Sequence, residues 1–430
     1  MKNGLVLLVI FLCLAVEIEC ALFAVLVSGS RGWENYRHQA DVCNAYRVIT
    51  AQGVEPDNII TMVYDDIAND PRNPFPGKIF NSGDLDDVYS GIKIDYRGDD
   101  VNVANFQKIL LGIPTGVGSG RVLNSTIDDN VFVYFSNHGN TGFVGFPNHQ
   151  IFTAKELHVL LDAMKARNRY GKMLVYIESC FSGSLFNGIL REDRNIYALT
   201  ASNERESSYG TTDSIQDKTG TRIILGDAFS ANWINSMLTH DLTATTIDEQ
   251  FEFVQEATKL SHVQRFGTLS IGQMKVAEFL QIAGFREERV SGNPKMANSS
   301  MPSCVMPELI MIEQFEKTQD LKVKAELGKK LRKIIDVKHS IEKSSMELFV
   351  ALFPTSRADK LSDPTMDPRL PPHKITQLDC HDKVVHGFAA KCPEMMDSDF
   401  KNHFIATITN LCERMVPAEE IAEQMEKICR

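Results

Sequence analysis

The sequence predicts an α/β fold, a mostly parallel sheet flanked by helices, followed by a helical, cysteine-rich C-terminal region. Three observations carry this. Short apolar or β-branched runs alternate with helical patterns from about residue 22 to 202, and such alternation builds parallel sheets with helices on their faces. Between Arg286 and Met306 the pattern gives way to Ser, Asn, Pro and charged residues, including Gly292, Asn293 and Pro294, the composition of an exposed connection. From Glu308 the chain turns helical and highly charged, and four of its nine cysteines, Cys380, Cys392, Cys412 and Cys429, crowd the last 51 residues. With 430 residues, 43% of them apolar, there is material for two or three packed domains.

In chain order, the first element is a leader. Lys2 precedes an apolar run from Leu5 to Val16, then Glu17 and Glu19, the pattern of a secretory signal. That run falls short of the roughly 20 residues a membrane-crossing helix needs, so no membrane span is expected. Cleavage after Ala15 and after Cys20 both fit. Strands are expected at Leu22 to Val27, Asn58 to Tyr64, Val131 to Phe135, Met173 to Ile177 and Asn195 to Thr200. One helix places Val42, Ala45, Tyr46 and Ile49 on a single face and ends at Gly53. Another does the same with Leu157, Leu160, Leu161 and Met164, and begins with a capping box of Thr153 and Glu156.

The net charge of −11 argues against nucleic acid as a partner, because phosphate contact needs a basic surface. The charge is uneven. Leu321 to Ser344 holds eight Lys/Arg against three Asp/Glu, a local +5 that leaves −16 for the rest. Such a segment is either a solvated helix face or an electrostatic fastening. In a secreted chain the four terminal cysteines are expected as two disulfides. His381 and His386 lie among them, but the spacing fits no standard zinc finger, so no metal and no cofactor is expected. Cys43 reads as a buried free thiol, while Cys180 and Cys304 stand alone. Asn124-Ser125-Thr126 and Asn298-Ser299-Ser300 are glycosylation acceptors, at Asn124 and Asn298.

Function in open α/β sheets collects beyond the carboxyl ends of the strands. Three predicted strands run into chemically loaded loops: Ser136-Asn137-His138-Gly139, the run Glu178 to Ser184 around Cys180, and the loop bearing Asn35-Tyr36-Arg37-His38. A cysteine becomes a nucleophile when a neighbouring imidazole favours its thiolate. Gly139 lets the backbone beside His138 approach a substrate and offer its N–H to an oxyanion.

The runs Val27-Ser28-Gly29-Ser30, Asn35 to Cys43, Met62 to Ala68, His138-Gly139, Tyr176-Ile177-Glu178, Arg205 to Tyr209 and Leu225-Gly226-Asp227 resemble, in order and separation, those of the legumain family of asparaginyl endopeptidases. The resemblance extends from about residue 22 to the end. It implies a caspase-like peptidase domain over 21–288, after a signal peptide at 1–20. It implies a catalytic dyad of Cys180 and His138 with Asn35 orienting the histidine, and an oxyanion site from the N–H groups of Gly139 and Cys180. The specificity pocket then falls on Arg37, His38, Glu178, Ser207 and Asp227. A side-chain amide has one acceptor and two donors, which a pocket holding a guanidinium and carboxylates satisfies together. Two residues depart from the family pattern. Asn137 stands for the usual aspartate, which should alter pH dependence, and Phe181 stands for the usual glutamate, with altered contacts expected near the pocket rim.

The same resemblance implies a linker over 289–324 and a helical prodomain over 325–430 that inhibits its own active site, stapled by Cys380–Cys412 and Cys392–Cys429. The expected activity is hydrolysis after Asn in protein and peptide substrates, and after Asp at low pH. Self-activation at acidic pH in a lysosome or other acidic compartment, or after secretion, follows, with Asp320 as the counterpart of the activating cut and Lys329, Lys330, Arg332 and Lys333 as the fastening. The alternatives are a peptide ligase using the same dyad and an inactive binding protein.

Overall fold

In a computed structural model the protein is described over residues 20–282, 298–353, 367–392 and 401–429. The expected leader, apart from Cys20, and the stretch 283–297 lie outside these residues. The main sheet contains β1 (Leu22–Ser28), β2 (Ile59–Met62), β3 (Asn130–Ser136), β7 (Lys172–Glu178), β8 (Ile196–Thr200) and β12 (Gln264–Gly267). Between and after these lie β4 (Gly139–Asn140), β5 (Phe143–Phe146), β6 (Gln150–Thr153), β9 (Tyr209–Thr211), β10 (Ser214–Gln216), β11 (Arg222–Ile224) and β13 (Ser299–Pro302). The main sheet runs β12-β8-β7-β3-β1-β2, with every pair parallel except β12, which is antiparallel to β8. All five expected strands belong to it. β1, β3 and β7 read as unbroken apolar runs because both of their faces are covered.

On one face pack α1 (Tyr36–Ala51), α4 (Ala228–Thr239) and α5 (Ile247–Ala257), whose Val42, Ala45, Ile49, Trp233 and Phe251 meet Phe132, Tyr134 and Tyr176. On the other lie α2 (Val103–Leu110) and α3 (Ala154–Ala166), whose Phe106, Leu157, Leu160, Leu161 and Met164 meet Val131, Val133 and Phe135. The predicted capping box is formed: Thr153 Oγ1 accepts from Glu156 N, and Thr153 N donates to Glu156 Oε2. Ser28, Ser136 and Glu178 share one register. The loops after β1, β3 and β7 therefore leave one sheet edge side by side.

After the short α6 (Val276–Leu280) come α7 (Met306–Lys317), α8 (Leu321–Leu352), α9 (Leu378–Lys391), α10 (Lys401–Glu413) and α11 (Ala418–Ile428). The last four bury their own core, including Ile341, Leu348, Val384, Phe388, Phe404, Ile408 and Ile421. Phe143 and Ile151 from the small antiparallel sheet β4-β5-β6 join it. Cys380–Cys412 ties α9 to α10, and Cys392–Cys429 ties the ends of α9 and α11.

Candidate active site

His138 stands two residues after the end of β3. Asn35 Nδ2 donates to Arg31 O at 2.9 Å, which turns its Oδ1 toward His138 Nε2, 2.7 Å away. Nε2 therefore carries the proton it donates, and Nδ1 is left as the basic nitrogen. Burial, then the charges of Arg37 and Lys401, push this imidazole's pKa well below the ordinary value. His38 lies edge-on to it, with ring centroids 4.9 Å apart. A Cβ on residue 139 would come within 2.7 Å of Cys180 O and Ser179 Oγ, so glycine alone lets the two backbones touch.

Next to this pair is a closed polar pocket. Arg37 Nε donates to Asp227 Oδ1 at 3.0 Å, and His38 bridges Ser30 Oγ at 2.8 Å and Asp227 Oδ2 at 3.7 Å. Glu178 Oε2 accepts from the N and Oγ of Ser230 at 3.0 and 2.9 Å. Among the described residues, Glu178 Oε1 and Asp227 Oδ2 are buried acceptors without a hydrogen-bond donor. Asp41, which sequence reasoning missed, accepts from Asn81 Nδ2 at 2.8 Å and from Asp227 N at 3.2 Å. Its signal was the i, i+4 spacing from Arg37 on one helix. Burial, with Asp227 next, pushes the Glu178 carboxyl up to about 8. The same two causes and Glu178 raise Asp41 well above the carboxylate range.

Cys180 is not the lone thiol that the sequence suggests. It is bonded to Cys304, with Cα atoms 6.5 Å apart, and Ser207 Oγ lies 3.2 Å from each sulfur. The expectation of an exposed connection fails here as well. β13 pairs antiparallel with β9, Thr212 N donates to Asn298 O, and Ser303 N donates to Ser208 O at 2.8 Å. The physical reason is an open strand edge, whose unpaired backbone groups accept any extended segment at hand. Ser303 is thereby seated in the pocket: its Oγ donates to Asp227 Oδ1 at 2.9 Å, and its carbonyl accepts from Arg37 Nη2 at 3.4 Å.

Both departures from the family pattern are buried. Asn137 Nδ2 donates to Gly29 O at 2.6 Å and Gly145 O at 2.8 Å, a backbone cross-link rather than a contact of His138. Phe181 is buried, not at a rim, with left-handed backbone at φ 54° and its N–H on Glu206 O.

The helical region reaches the site through β4-β5-β6. His381 Nε2 donates to Thr141 O at 3.0 Å, Asn140 Nδ2 to Asn402 Oδ1 at 2.8 Å, and Thr153 Oγ1 to Asp382 Oδ1 at 2.6 Å. Lys155 pairs with Asp379 and Asp382, and Lys401 lines the cleft beside His138. The fastening is thus not at Lys329, Lys330, Arg332 and Lys333. All four are exposed, and Lys330 pairs with Glu326 on its own helix, so this face of α8 is solvated. Asn124 and Asn298 are exposed. No described helix is long and apolar enough to cross a membrane.

Residues 22–295 match the peptidase C13 family, and residues 329–429 match the legumain prodomain. Legumain from Mus musculus is 37% identical over 414 residues, covering 95% of this chain and 92% of its own. The hemoglobinase of Schistosoma mansoni is 38% identical over 413 residues, with coverage of 95% and 91%. The vacuolar-processing enzyme delta-isozyme of Arabidopsis thaliana is 32% identical over 426 residues, with coverage of 95% and 90%. A crystal structure of caspase-1 from Spodoptera frugiperda is similar over 58% of this chain and 87% of that one, at a TM-score of 0.35 and 11% identity. With a family match across the sheet domain and relatives aligned over nearly the whole length, the chain belongs to the peptidase C13 family, as a cysteine endopeptidase with a legumain prodomain.

Proposed function

We propose that this protein is a secretory or lysosomal zymogen whose processed form hydrolyses peptide bonds after Asn, and after protonated Asp at low pH. Cys180 is the nucleophile, His138 its base, Asn35 the residue that holds the imidazole, and Gly139 and Cys180 N–H groups receive the oxyanion. The observation that carries the specificity is the pocket of Arg37, His38, Glu178, Ser207 and Asp227, where Ser303 occupies the donor-and-acceptor pair formed by Asp227 and Arg37. A carboxamide offers its oxygen to the guanidinium and its N–H groups to the carboxylates, and a ligand without them leaves buried charges unpaired.

In the reaction the Cys180 thiol gives its proton to His138 Nδ1 as the sulfur bonds the carbonyl carbon. The imidazolium returns that proton to the departing amine, and water then opens the thioester. Activation follows a cut at the turn between α7 and α8. Asp320 is exposed there and caps α8, its Oδ1 accepting from Lys322 N and Val323 N. Protonation removes that cap's charge and turns Asp320 into an acceptable residue for the pocket. The test incubates the purified zymogen, with reductant, at pH 4.5 and 7.5 and assays Ala-Ala-Asn and Ala-Ala-Gln fluorogenic peptides. Acid-dependent cleavage of the Asn peptide is expected, lost in Cys180→Ala and lowered by about 100-fold or more in Arg37→Leu. A processed, reduced protein that spares the Asn peptide would overturn the reading.

A further inference from the structure

We infer that Cys304 is a covalent, thiol-sensitive cap on the catalytic sulfur, so that this zymogen carries a redox lock in addition to its helical cover. The inference rests on Cys180 being the nucleophile. Its basis is placement. β13 lies along β9, Ser303 is anchored at both its oxygen atoms, and Ser303 N is held by Ser208 O. The next residue therefore delivers its sulfur to Cys180, and Ser207 Oγ contacts both sulfurs. With the two cysteines already held in contact by the strand pairing, closing the bond orders little additional chain.

The cap differs from the cover in what opens it. Cys304 lies before Asp320, so a cut there severs α8 to α11 from the chain and leaves residues 298–306 on the peptidase sheet. Acid does not open it either, since a disulfide carries no titrating proton. Closure is an exchange in which a disulfide donor of the secretory pathway takes up two hydrogens as two thiols while Cys180 and Cys304 lose them. Opening is the reverse. A thiolate attacks the sulfur of Cys304, a partly buried residue where Cys180 is fully buried, and expels the Cys180 thiolate. A second thiol then frees Cys304 and leaves as the oxidised disulfide.

The full-length zymogen, wild type and Cys304→Ser, is purified without reductant and digested unreduced for mass spectrometry. Cys180 alkylation by iodoacetamide is timed before and after a small dithiol, and peptide hydrolysis is read in parallel after acid processing. The expected result is a peptide joining residues 180 and 304 in the wild type only. Cys180 alkylation should rise at least about tenfold on reduction of the wild type, with no change in Cys304→Ser. Acid-processed Cys304→Ser should cleave substrate without reductant, whereas the wild type should need it. Absence of the joined peptide, or equal alkylation of the two unreduced proteins, overturns the cap. If the cap is present but the reduced proteins cleave nothing after Asn, the cap stands and the proposed specificity falls.

Discussion

Three carboxylates, Asp41, Glu178 and Asp227, lie buried around the one guanidinium of Arg37, and this crowding has a pH signature. Glu178 is pushed up to about 8 from 4.5 by burial and by Asp227. Between those values the folded chain holds a proton that the unfolded chain has lost, so this group makes stability fall as pH rises from about 4.5 through 8. Glu178→Gln removes the titration. Its melting temperature should decline less between pH 5 and 8 than that of the wild type, and parallel declines would refute the assignment. Much of this arrangement was legible: Arg37, His38, Glu178, Ser207 and Asp227, which the structure brings together, and His138 stand in short runs with a family likeness. What was not legible was pairing at a distance. Nothing local to Cys304 says that a strand edge 97 residues earlier, at Ser207, will present it to Cys180, and nothing beside Asn137 says that its amide joins two loops.

At the scale of elements, the central strands were readable because burial on both faces forces unbroken apolar runs. β13 was not, because Ser299 to Pro302 acquires strand character only from its partner. The small sheet β4-β5-β6 escaped for a similar reason, its strands being two to four residues long. That sheet starts at Gly139, next to His138, and serves as the dock for α9. The dock contains a proton sensor. His381 is buried, donates to Thr141 O, and is lowered from 6.5 to about 4, chiefly by burial. Its contribution to docking is fully present above about pH 6.5 and is lost as pH falls through 4, a loss of roughly 3 kcal/mol over the whole range. Asp382 and Glu413 oppose this weakly, and His386, raised chiefly by Glu156, works in the other direction. His386 is exposed to solvent, which screens it, so His381 decides the sign. In a Cys180→Ala zymogen, amide protection over residues 139–146 should fall between pH 6.5 and 4, and His381→Gln should retain it. Equal loss in both proteins would place the sensor elsewhere.

Over the whole molecule, two segments beyond the sheet domain meet at the edge that carries His138 but are secured by different chemistry: hydrogen bonds and ion pairs for α9 and α10, a sulfur bond added to strand pairing for residues 298–306. Both disulfides of the helical region lie within 380–429, on the far side of Asp320 from the sheet domain. A cut at that turn leaves α8 to α11 a complete folded body, with its core and staples intact, still seated on β4-β5-β6. Cutting therefore changes the order of the reaction rather than removing the inhibitor. Before it, the cover faces the site at the millimolar effective concentration typical of a tether; afterwards its occupancy follows the actual concentration of the free piece. Processed enzyme assayed at near-neutral pH should gain specific activity on dilution and lose it again when the helical fragment is added back, whereas uncut zymogen should show neither. Specific activity independent of concentration would mean that the fragment does not return. A cut at the Asp320 turn would thus convert a property of a single chain into one set by volume, and a crowded vesicle and an open lumen would read the same cleaved protein differently.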